Sequence, residues 1–305
     1  MLLEGKVIAI TGAGRGIGRA MAQLAAQEGA AVAVNDFGVN VDGTSPSDGP
    51  AAEVAEEITK AGGRAVANFG SVAEPDGARS IVEQAVAEFG QLDGIVNNAG
   101  ILRDRMIFNM TEEEWDAVMA VHLRGNFLCT QYAALQMVKQ QSGCILGVSS
   151  GSGLIGNSGQ ANYGAAKTAI VGLSMAAARE LAPHGVRANA YHIGAQTRMT
   201  PGGPQAERAQ EVRAAAGIGR ERAANRRPNL PEDGVPLPVF LLSDEAADIT
   251  GRVFAMSGDS VGIYNDIYPS HTALSDEGWT VESIAEYFQT GLGAGITRLP
   301  RASED

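Results

Sequence analysis

A tyrosine and a lysine stand four residues apart in the segment GQANYGAAK, residues 159–167, which has the composition of a helix. Residues at positions i and i+4 share one face of a helix, so the hydroxyl of Tyr163 and the amine of Lys167 could occupy a common site. A phenol beside an ammonium group is a pair suited to proton transfer. Solvent-exposed helix faces carry the same spacing, so the surrounding elements must decide between the two interpretations.

A glycine-rich turn, TGAGRGIG at 11–18, follows the first apolar run of the chain and precedes a helical segment. Glycine allows a tight turn there and lets backbone amides approach a pyrophosphate, while the helix N-terminus attracts the phosphate charge. An acidic residue, Asp36, ends the second apolar run about twenty positions later, where a dinucleotide ribose is bound in such folds. The residues expected to contact the cofactor here are Gly12, Gly14, Arg15, Gly16, Ile17, Gly18 and Asp36.

The carboxylate of Asp36, at the end of the second apolar run, helps to determine which dinucleotide is bound. The Asp36 carboxylate would accept hydrogen bonds from the ribose hydroxyls and repel a 2′-phosphate, which favours NAD. Arg15 argues the other way, because its guanidinium could reach a 2′-phosphate next to that carboxylate. The balance favours NAD, with NADP as the alternative.

Short apolar, β-branched runs alternate with longer alanine-rich segments of helical period. This alternation predicts an α/β fold, a Rossmann-type doubly wound parallel sheet of about seven strands with helices on both faces. Ligands of such sheets bind at the carboxyl ends of the strands, where the strand order reverses. The expected strands lie at 6–11, 31–35, 65–69, 94–98, 144–150, 187–192 and 252–256, and the expected helices at 17–29, 51–61, 75–89, 111–138, 160–182 and 231–242, with a capping box of Thr111 and Glu114.

Composition narrows the possible partners. The 305 residues are 45% hydrophobic and carry a net charge of −12, which argues against nucleic acid or an anionic membrane as a partner. Cys129 and Cys144 have no metal-ligand spacing and are too few for a disulfide framework, so we expect buried thiols and no metal site. The chain shows no secretory leader and no apolar run of membrane-spanning length, so a cytoplasmic protein is expected.

Taken together, the motifs resemble the short-chain dehydrogenase/reductase superfamily. The resemblance rests on the strand–TGxxxGxG–helix turn, NNAG at 97–100, a serine thirteen residues before Tyr163, and Tyr-x-x-x-Lys. It spans residues 5 to about 260 and implies a catalytic domain at 1–260, a substrate-covering loop region at 200–231 and a C-terminal extension at 261–305. It also implies assembly as a homodimer or homotetramer through the helices at 111–138 and 160–182.

The resemblance assigns roles to the pair. Tyr163 would be the general acid/base, its pKa pulled toward neutrality by Lys167 and the nicotinamide, and Ser150 would hydrogen-bond the substrate oxygen. Lys167 would also bind the nicotinamide ribose, and Thr197 the carboxamide. Asn97 would bridge the central strands. The remaining residues expected to line the cofactor cleft are Asn98, Ala99 and Gly100.

His122, in VHLRGNF at 121–127, departs from the family pattern, which usually has asparagine there beside a local helix distortion and a water. An imidazole could bind the same water or relay a proton, so His122 is a candidate catalytic residue. A lone histidine on a helix is more often structural. The departure also leaves open a dinucleotide-binding protein without turnover.

The segments NNAGILRDRMI, VHLRGNF and GNSGQANY resemble the (3R)-hydroxyacyl-CoA dehydrogenase unit of multifunctional β-oxidation enzymes. This implies reversible NAD-linked oxidation of a 3-hydroxyacyl thioester, with a hydroxysteroid or other cyclic alcohol as the alternative substrate. An arginine cluster in the loop region could hold coenzyme A phosphates, or be a solvated or intersubunit face. The members of this cluster are Arg220, Arg222, Arg226 and Arg227. The tail also carries aromatic residues that could pack over the cleft or on another subunit: Tyr264, Tyr268, Trp279, Tyr287 and Phe288.

Overall fold

Eight strands form one sheet in the order β3–β2–β1–β4–β5–β6–β7–β8. The computed structural model describes residues 1–199, 229–258, 260–265, 272–276 and 278–291. The parallel sheet expected from the sequence is confirmed, and β8, which pairs antiparallel with β7, is the addition. The strands are β1 (Val7–Thr11), β2 (Ala31–Asn35), β3 (Arg64–Asn68), β4 (Gly94–Asn97), β5 (Gly143–Val148), β6 (Val186–Ile193), β7 (Val253–Ser257) and β8 (Ser260–Ile263).

The eighth strand escaped the sequence analysis because its residues are exposed and do not form an apolar run. The expected helix at 111–138 is divided into two α-helices by a π-helical segment, Ala120–Arg124. The predicted capping box is present, since Thr111 and Glu114 each accept a hydrogen bond from the other's backbone amide. The helices are α1 (Gly16–Gln27), α2 (Gly49–Lys60), α3 (Pro75–Phe89), α4 (Glu112–Met119), α5 (Gly125–Gln140), α6 (Gly151–Ile155), α7 (Ala161–Leu181), α8 (Pro236–Leu242) and α9 (Val281–Thr290).

Helices cover both faces of the sheet, as the first strand shows. All five residues of β1 are buried. Ile8 and Ile10 belong to one hydrophobic core with α1 and α2, whereas Val7 and Ala9 belong to the other core with α3 and α5. Because successive side chains of a strand point to opposite faces, a strand buried on both sides has to be apolar throughout.

The sheet reverses its strand order between β1 and β4. From β1 the chain continues outward to β2 and β3, and it then returns to β4 on the other side of β1. The carboxyl ends of β1, β4 and β5 therefore meet at one edge, where the loops on either side leave a crevice. The glycine-rich turn, the NNAG segment and Ser150 directly follow these three strands.

Residues beyond Tyr264 belong to a second compact unit. Its described helix, α9, is capped by Thr280, whose hydroxyl accepts a hydrogen bond from Ser283 N. The rings of Trp279 and Tyr287 lie 5.6 Å apart in this unit. None of the helices among the described residues is long and apolar enough to cross a membrane.

Candidate active site

Ser150, Tyr163 and Lys167 come together beyond the end of β5. Ser150 is the N-cap of α6, and its hydroxyl accepts a hydrogen bond from Ser152 N at 3.2 Å. Ser150 also lies close enough to Tyr163 to lower the pKa of the phenol. The ammonium nitrogen of Lys167, one turn further along α7, lies 5.5 Å from the centre of the Tyr163 ring. The phenol, the hydroxyl and the amine thus share one site.

The electrostatics of this site differ from the sequence expectation. Burial raises the pKa of Tyr163, an effect that the nearby Ser150 side chain opposes and the charge of Asp104 reinforces. Burial lowers the pKa of Lys167 to about 7, and its Nζ donates to the carbonyl oxygen of Val148 at 2.6 Å. The protein side chains alone therefore do not acidify the phenol. A cationic nicotinamide ring beside it would supply the missing stabilisation of the phenolate.

Asn162, the residue before Tyr163, was missed by the sequence analysis and fixes the start of α7. Its side chain is fully buried. The amide nitrogen donates to the carbonyl oxygens of Arg103 and Glu114, both at 3.0 Å, and the amide oxygen accepts from Tyr163 N at 2.7 Å. Asn162 thereby ties the start of α7 to the segment after β4 and to α4. An asparagine in the first turn of a helix was the available signal.

His122 lies in the π-helical segment, with its ring edge against Tyr163. The ring centroids are 5.1 Å apart and the planes are perpendicular. Its Nε2 lies 3.1 Å from Ile101 N and 2.8 Å from Ile101 O. Burial, helped by the charge of Lys167, lowers the pKa of His122 to about 3, so the ring is neutral at physiological pH. The helix is distorted at this position, because His122 lies in the π-helical segment Ala120–Arg124.

The glycine-rich turn is a close-fitting cradle in which side chains would collide. A Cβ at Gly18 would strike the carbonyl oxygen of Gly12, and one at Gly12 would lie 2.8 Å from the Cα of Ala99. Gly12 and Gly16 also have positive φ angles of 63° and 53°. These are the features that let a backbone approach a pyrophosphate at the N-terminus of a helix. The turn therefore fits a dinucleotide, although the side chain of Ile17 packs against the core beneath it.

The segment NNAG, at the end of the neighbouring strand, forms hydrogen bonds with the start of the glycine-rich turn. The Asn98 side chain donates to Thr11 O at 2.9 Å and to Gly12 O at 3.1 Å, so Asn98 bridges β1 and β4. Asn97, for which that bridging was expected, instead donates to Thr130 Oγ1 on α5 at 3.0 Å. The expectation for Asn97 was wrong because adjacent residues of a strand point to opposite faces. Ala99 N donates to Thr11 Oγ1 at 3.0 Å.

Asp36 lies where a carboxylate can select the cofactor. Its two oxygens accept hydrogen bonds from Gly14 N at 2.8 Å and from Gly38 N at 2.6 Å. Arg15 and Arg198 each donate to Val39 O at 3.3 Å, which places two guanidinium groups on the neighbouring loop. Arg198 was not foreseen, since it follows β6 and is distant in sequence. The methyl group of Thr197 lies 3.7 Å from the Cβ position of Gly16, over the glycine-rich turn.

The whole arrangement agrees with comparisons to known proteins. A family model described as short chain dehydrogenase matches residues 6–207. A hydroxyacyl-CoA dehydrogenase, ChsB1 of Mycobacterium tuberculosis, is 41% identical over 277 residues, covering 88% of this chain and 81% of that protein. The chain belongs to the short-chain dehydrogenase family. As a member, it is an oxidoreductase that binds a nicotinamide dinucleotide and acts on a CH–OH group.

Three further proteins are similar to this short-chain dehydrogenase. The peroxisomal multifunctional enzyme type 2 of Drosophila melanogaster is 47% identical over 199 residues, which are 65% of this chain but 33% of that enzyme. The 3-oxoacyl-[acyl-carrier-protein] reductase FabG of Thermotoga maritima is 38% identical over 267 residues, 86% of this chain and 100% of that protein. A crystal structure of a short chain dehydrogenase from Mycobacterium avium superimposes with a TM-score of 0.79 at 40% identity, covering 99% of this chain and 98% of the other.

The enlarged loop after β2 reaches the wall of the catalytic site. Val41 O accepts a hydrogen bond from Leu102 N at 2.8 Å, and Asp42 O accepts one from Arg103 Nε at 2.6 Å. Val39 packs in the same apolar cluster as Ile101 and Tyr163. In this short-chain dehydrogenase the loop that carries Asp36 is thus also a support of the residues next to the phenol.

The two cysteines and the arginine cluster, which the sequence analysis singled out, lie away from this site or outside the described residues. Cys129 and Cys144 are buried, as expected, and burial raises the pKa of both thiols. The arginine cluster, comprising Arg220, Arg222, Arg226 and Arg227, lies outside the described residues.

Proposed function

We propose that this short-chain dehydrogenase uses NAD to interconvert a 3-hydroxyacyl thioester of coenzyme A and the 3-ketoacyl thioester. The observation that carries the reaction is that Ser150, Tyr163 and Lys167 share one site, with the Lys167 amine 5.5 Å from the centre of the Tyr163 ring. NAD, when bound, supplies the hydride acceptor and a positive charge beside the phenol. In the oxidising direction the phenolate of Tyr163 takes the proton from the substrate hydroxyl.

Each remaining residue holds one part of this arrangement. Ser150 donates a hydrogen bond to the reacting oxygen and so places it next to Tyr163. Lys167 stabilises the phenolate once its amine is protonated. The hydrogen bond from Nζ to Val148 O fixes the direction of the lysine side chain. His122 supports the phenol ring from the side, because its Nε2 is already bound to the backbone of Ile101. It acts as a positioning residue and not as a proton relay.

The preference for NAD rests on Asp36. The carboxylate is held at the end of β2 by two backbone amides, and a 2′-phosphate at this place would meet its negative charge. Arg15 and Arg198 favour a phosphate, since a guanidinium that donates to Val39 O keeps further N–H groups, but they do not remove the charge of Asp36. NAD is therefore the cofactor that we propose.

The acyl thioester is supported by the relatives, two of which are a hydroxyacyl-CoA dehydrogenase and a 3-oxoacyl-carrier-protein reductase. Both names describe an acyl thioester that carries an oxygen, and the second name places that oxygen on the third carbon. A panel assay tests this: the purified chain is given 3-hydroxyacyl-CoA esters, the corresponding pantetheine esters and 3-hydroxysteroids, each with NAD and with NADP. We expect the highest kcat/KM with a CoA ester and NAD. Faster turnover of steroids would overturn the substrate assignment and leave the chemistry intact.

We further propose that the chain forms a homodimer or homotetramer through the helices around 111–138. Large apolar side chains on this part of the surface are exposed in the single chain, among them Trp115, Phe127 and Leu135. Light scattering at micromolar concentration should give a multiple of the chain mass, and Leu135→Glu should reduce it. A monomeric parent protein would contradict this proposal.

A further inference from the structure

A small buried cavity lies beside His122. Its volume is about 10 Å3, and it is lined by residues of β4, α5 and the π-helical segment. A cavity of roughly this volume can hold one water molecule if polar groups surround it. Its polar side chains are those of Asn97, His122, Asn126 and Thr11, and the Thr11 hydroxyl already bonds to Val96 O, Asn98 N and Ala99 N.

The side chains of Asn97, His122 and Asn126 each have one buried polar atom that bonds to none of the described residues. The atoms are Asn97 Oδ1, His122 Nδ1 and Asn126 Nδ2. The side chains are at least nine-tenths buried. A buried donor or acceptor without a partner destabilises the folded chain, so three such atoms around one cavity indicate a common partner.

The three atoms are close to one another for structural reasons. His122 and Asn126 are four residues apart, which places them on one face of the helix. The amides of Asn97 and Asn126 are neighbours, since Asn97 Nδ2 lies 3.4 Å from Asn126 Oδ1. Asn97 has its amide nitrogen directed to Thr130 Oγ1, so its oxygen remains for another donor.

We propose that Asn97, His122 and Asn126 bind one water molecule, and that this water holds His122 in the tautomer protonated at Nε2. In this arrangement Asn126 Nδ2 donates to the water, which donates its two hydrogens to Asn97 Oδ1 and His122 Nδ1. Three hydrogen bonds are the usual number for a buried water. His122 Nε2–H then donates to Ile101 O at 2.8 Å.

The opposite tautomer satisfies the cavity less well. With the proton on Nδ1, both His122 and Asn126 would donate to the water, and the water would have one acceptor, Asn97 Oδ1, for its two hydrogens. Ile101 accommodates either tautomer at Nε2, since its N–H lies at 3.1 Å and its carbonyl oxygen at 2.8 Å, so the water decides which nitrogen bears the single N–H of the neutral ring. Asn126 and Asn97 are therefore positioning residues for His122, which in turn contacts Tyr163 and Ile101.

The consequence for turnover rests on the proposed function, whereas the water and the tautomer do not. A crystal structure of the full chain should show a water within about 3 Å of all three atoms. Nitrogen-15 spectra of histidine-labelled protein should show a neutral His122 protonated at Nε2, assigned by its loss in His122→Asn. A site without this water, or a ring protonated at Nδ1, overturns the proposal whether or not the enzyme is active.

Asn126→Leu tests the link between the water and the ring, because leucine has nearly the shape of asparagine but donates no hydrogen bond to the water. We expect the Nδ1 resonance of His122 to shift and kcat to fall by about tenfold, the effect of losing roughly one hydrogen bond. Cys129→Ala is the matched control, since Cys129 is buried on the same helix and does not line the cavity. It should lower Tm without moving the His122 resonance. An equal shift in both variants, or none in Asn126→Leu, would show that the water does not set the tautomer.

Discussion

The ring edge of His122 meets Tyr163 at a right angle, with 5.1 Å between the ring centres. Since Nε2 of His122 is bound to the backbone of Ile101, the imidazole holds the phenol in place from the side. A Cβ on Gly100 would strike the same imidazole, so the glycine of NNAG is needed for the histidine to fit. The segment after β4, the π-helical segment and α7 thus fix one another around the reacting oxygen.

Removal of the Tyr163 hydroxyl should abolish most of the turnover. We expect Tyr163→Phe to lower kcat by about 100-fold to 10,000-fold, the range for loss of a general acid/base. Binding of NADH, followed by its fluorescence, should be retained. Tyr191→Phe is the control, because Tyr191 is fully buried and its hydroxyl contacts the sulfur of Met21. Equal loss of activity in both variants would point to a folding defect and count against Tyr163 as the acid/base.

Replacement of Asp36 should change the choice of cofactor. Asp36→Ala removes the charge that repels a 2′-phosphate and the acceptor for ribose, so the ratio of kcat/KM for NAD to that for NADP should fall by roughly tenfold or more. Asp42→Ala provides the comparison, since Asp42 lies on the same loop and bonds to Thr44. The ratio should not change there. An unaltered preference in Asp36→Ala would mean that the ribose is bound elsewhere.

The low pKa of His122 should make folding stability depend on pH. The ring is neutral in the folded chain down to a pKa of about 3, whereas in the unfolded chain it gains a proton near pH 6.5. The unfolded state therefore binds more protons between these values, and the free energy of unfolding falls as the pH is lowered through this window. His122→Asn should flatten this slope by up to about 1.4 kcal/mol per pH unit in urea titrations. Parallel slopes for the two proteins would show that His122 is protonated when folded.

The glycine-rich turn at 11–18 should not tolerate a methyl side chain at Gly18. Gly18→Ala forces a Cβ against the carbonyl oxygen of Gly12, and we expect at least about tenfold weaker NADH binding from the distortion. Gly172→Ala, in the middle of α7, is the contrasting change, because its Cβ would have no heavy atom within 4 Å. That variant should gain roughly 0.5–1 kcal/mol of stability. Normal cofactor affinity in Gly18→Ala, measured calorimetrically, would refute a close backbone approach at this turn.

Local patterns were sufficient to predict much of the architecture. The alternation of buried runs with helical segments predicted the parallel sheet, because strands covered on both faces must be apolar throughout. The capping box of Thr111 and Glu114 could also be predicted from the sequence, since its two residues lie within one turn of the helix. β8 was missed because an exposed edge strand imposes no apolar pattern.

By itself the sequence determined which residues could do chemistry: spacing alone put Tyr163 and Lys167 on one helix face, and the glycines of 11–18 at the start of α1. The tertiary structure decided what surrounds them. The bond of Lys167 to Val148 O, the Arg198 contact at Val39 and the cavity shared by Asn97, His122 and Asn126 all join residues from different elements. Burial and hydrogen-bond partners depend on how those elements pack, and they set both the pKa of each group and the direction in which it points.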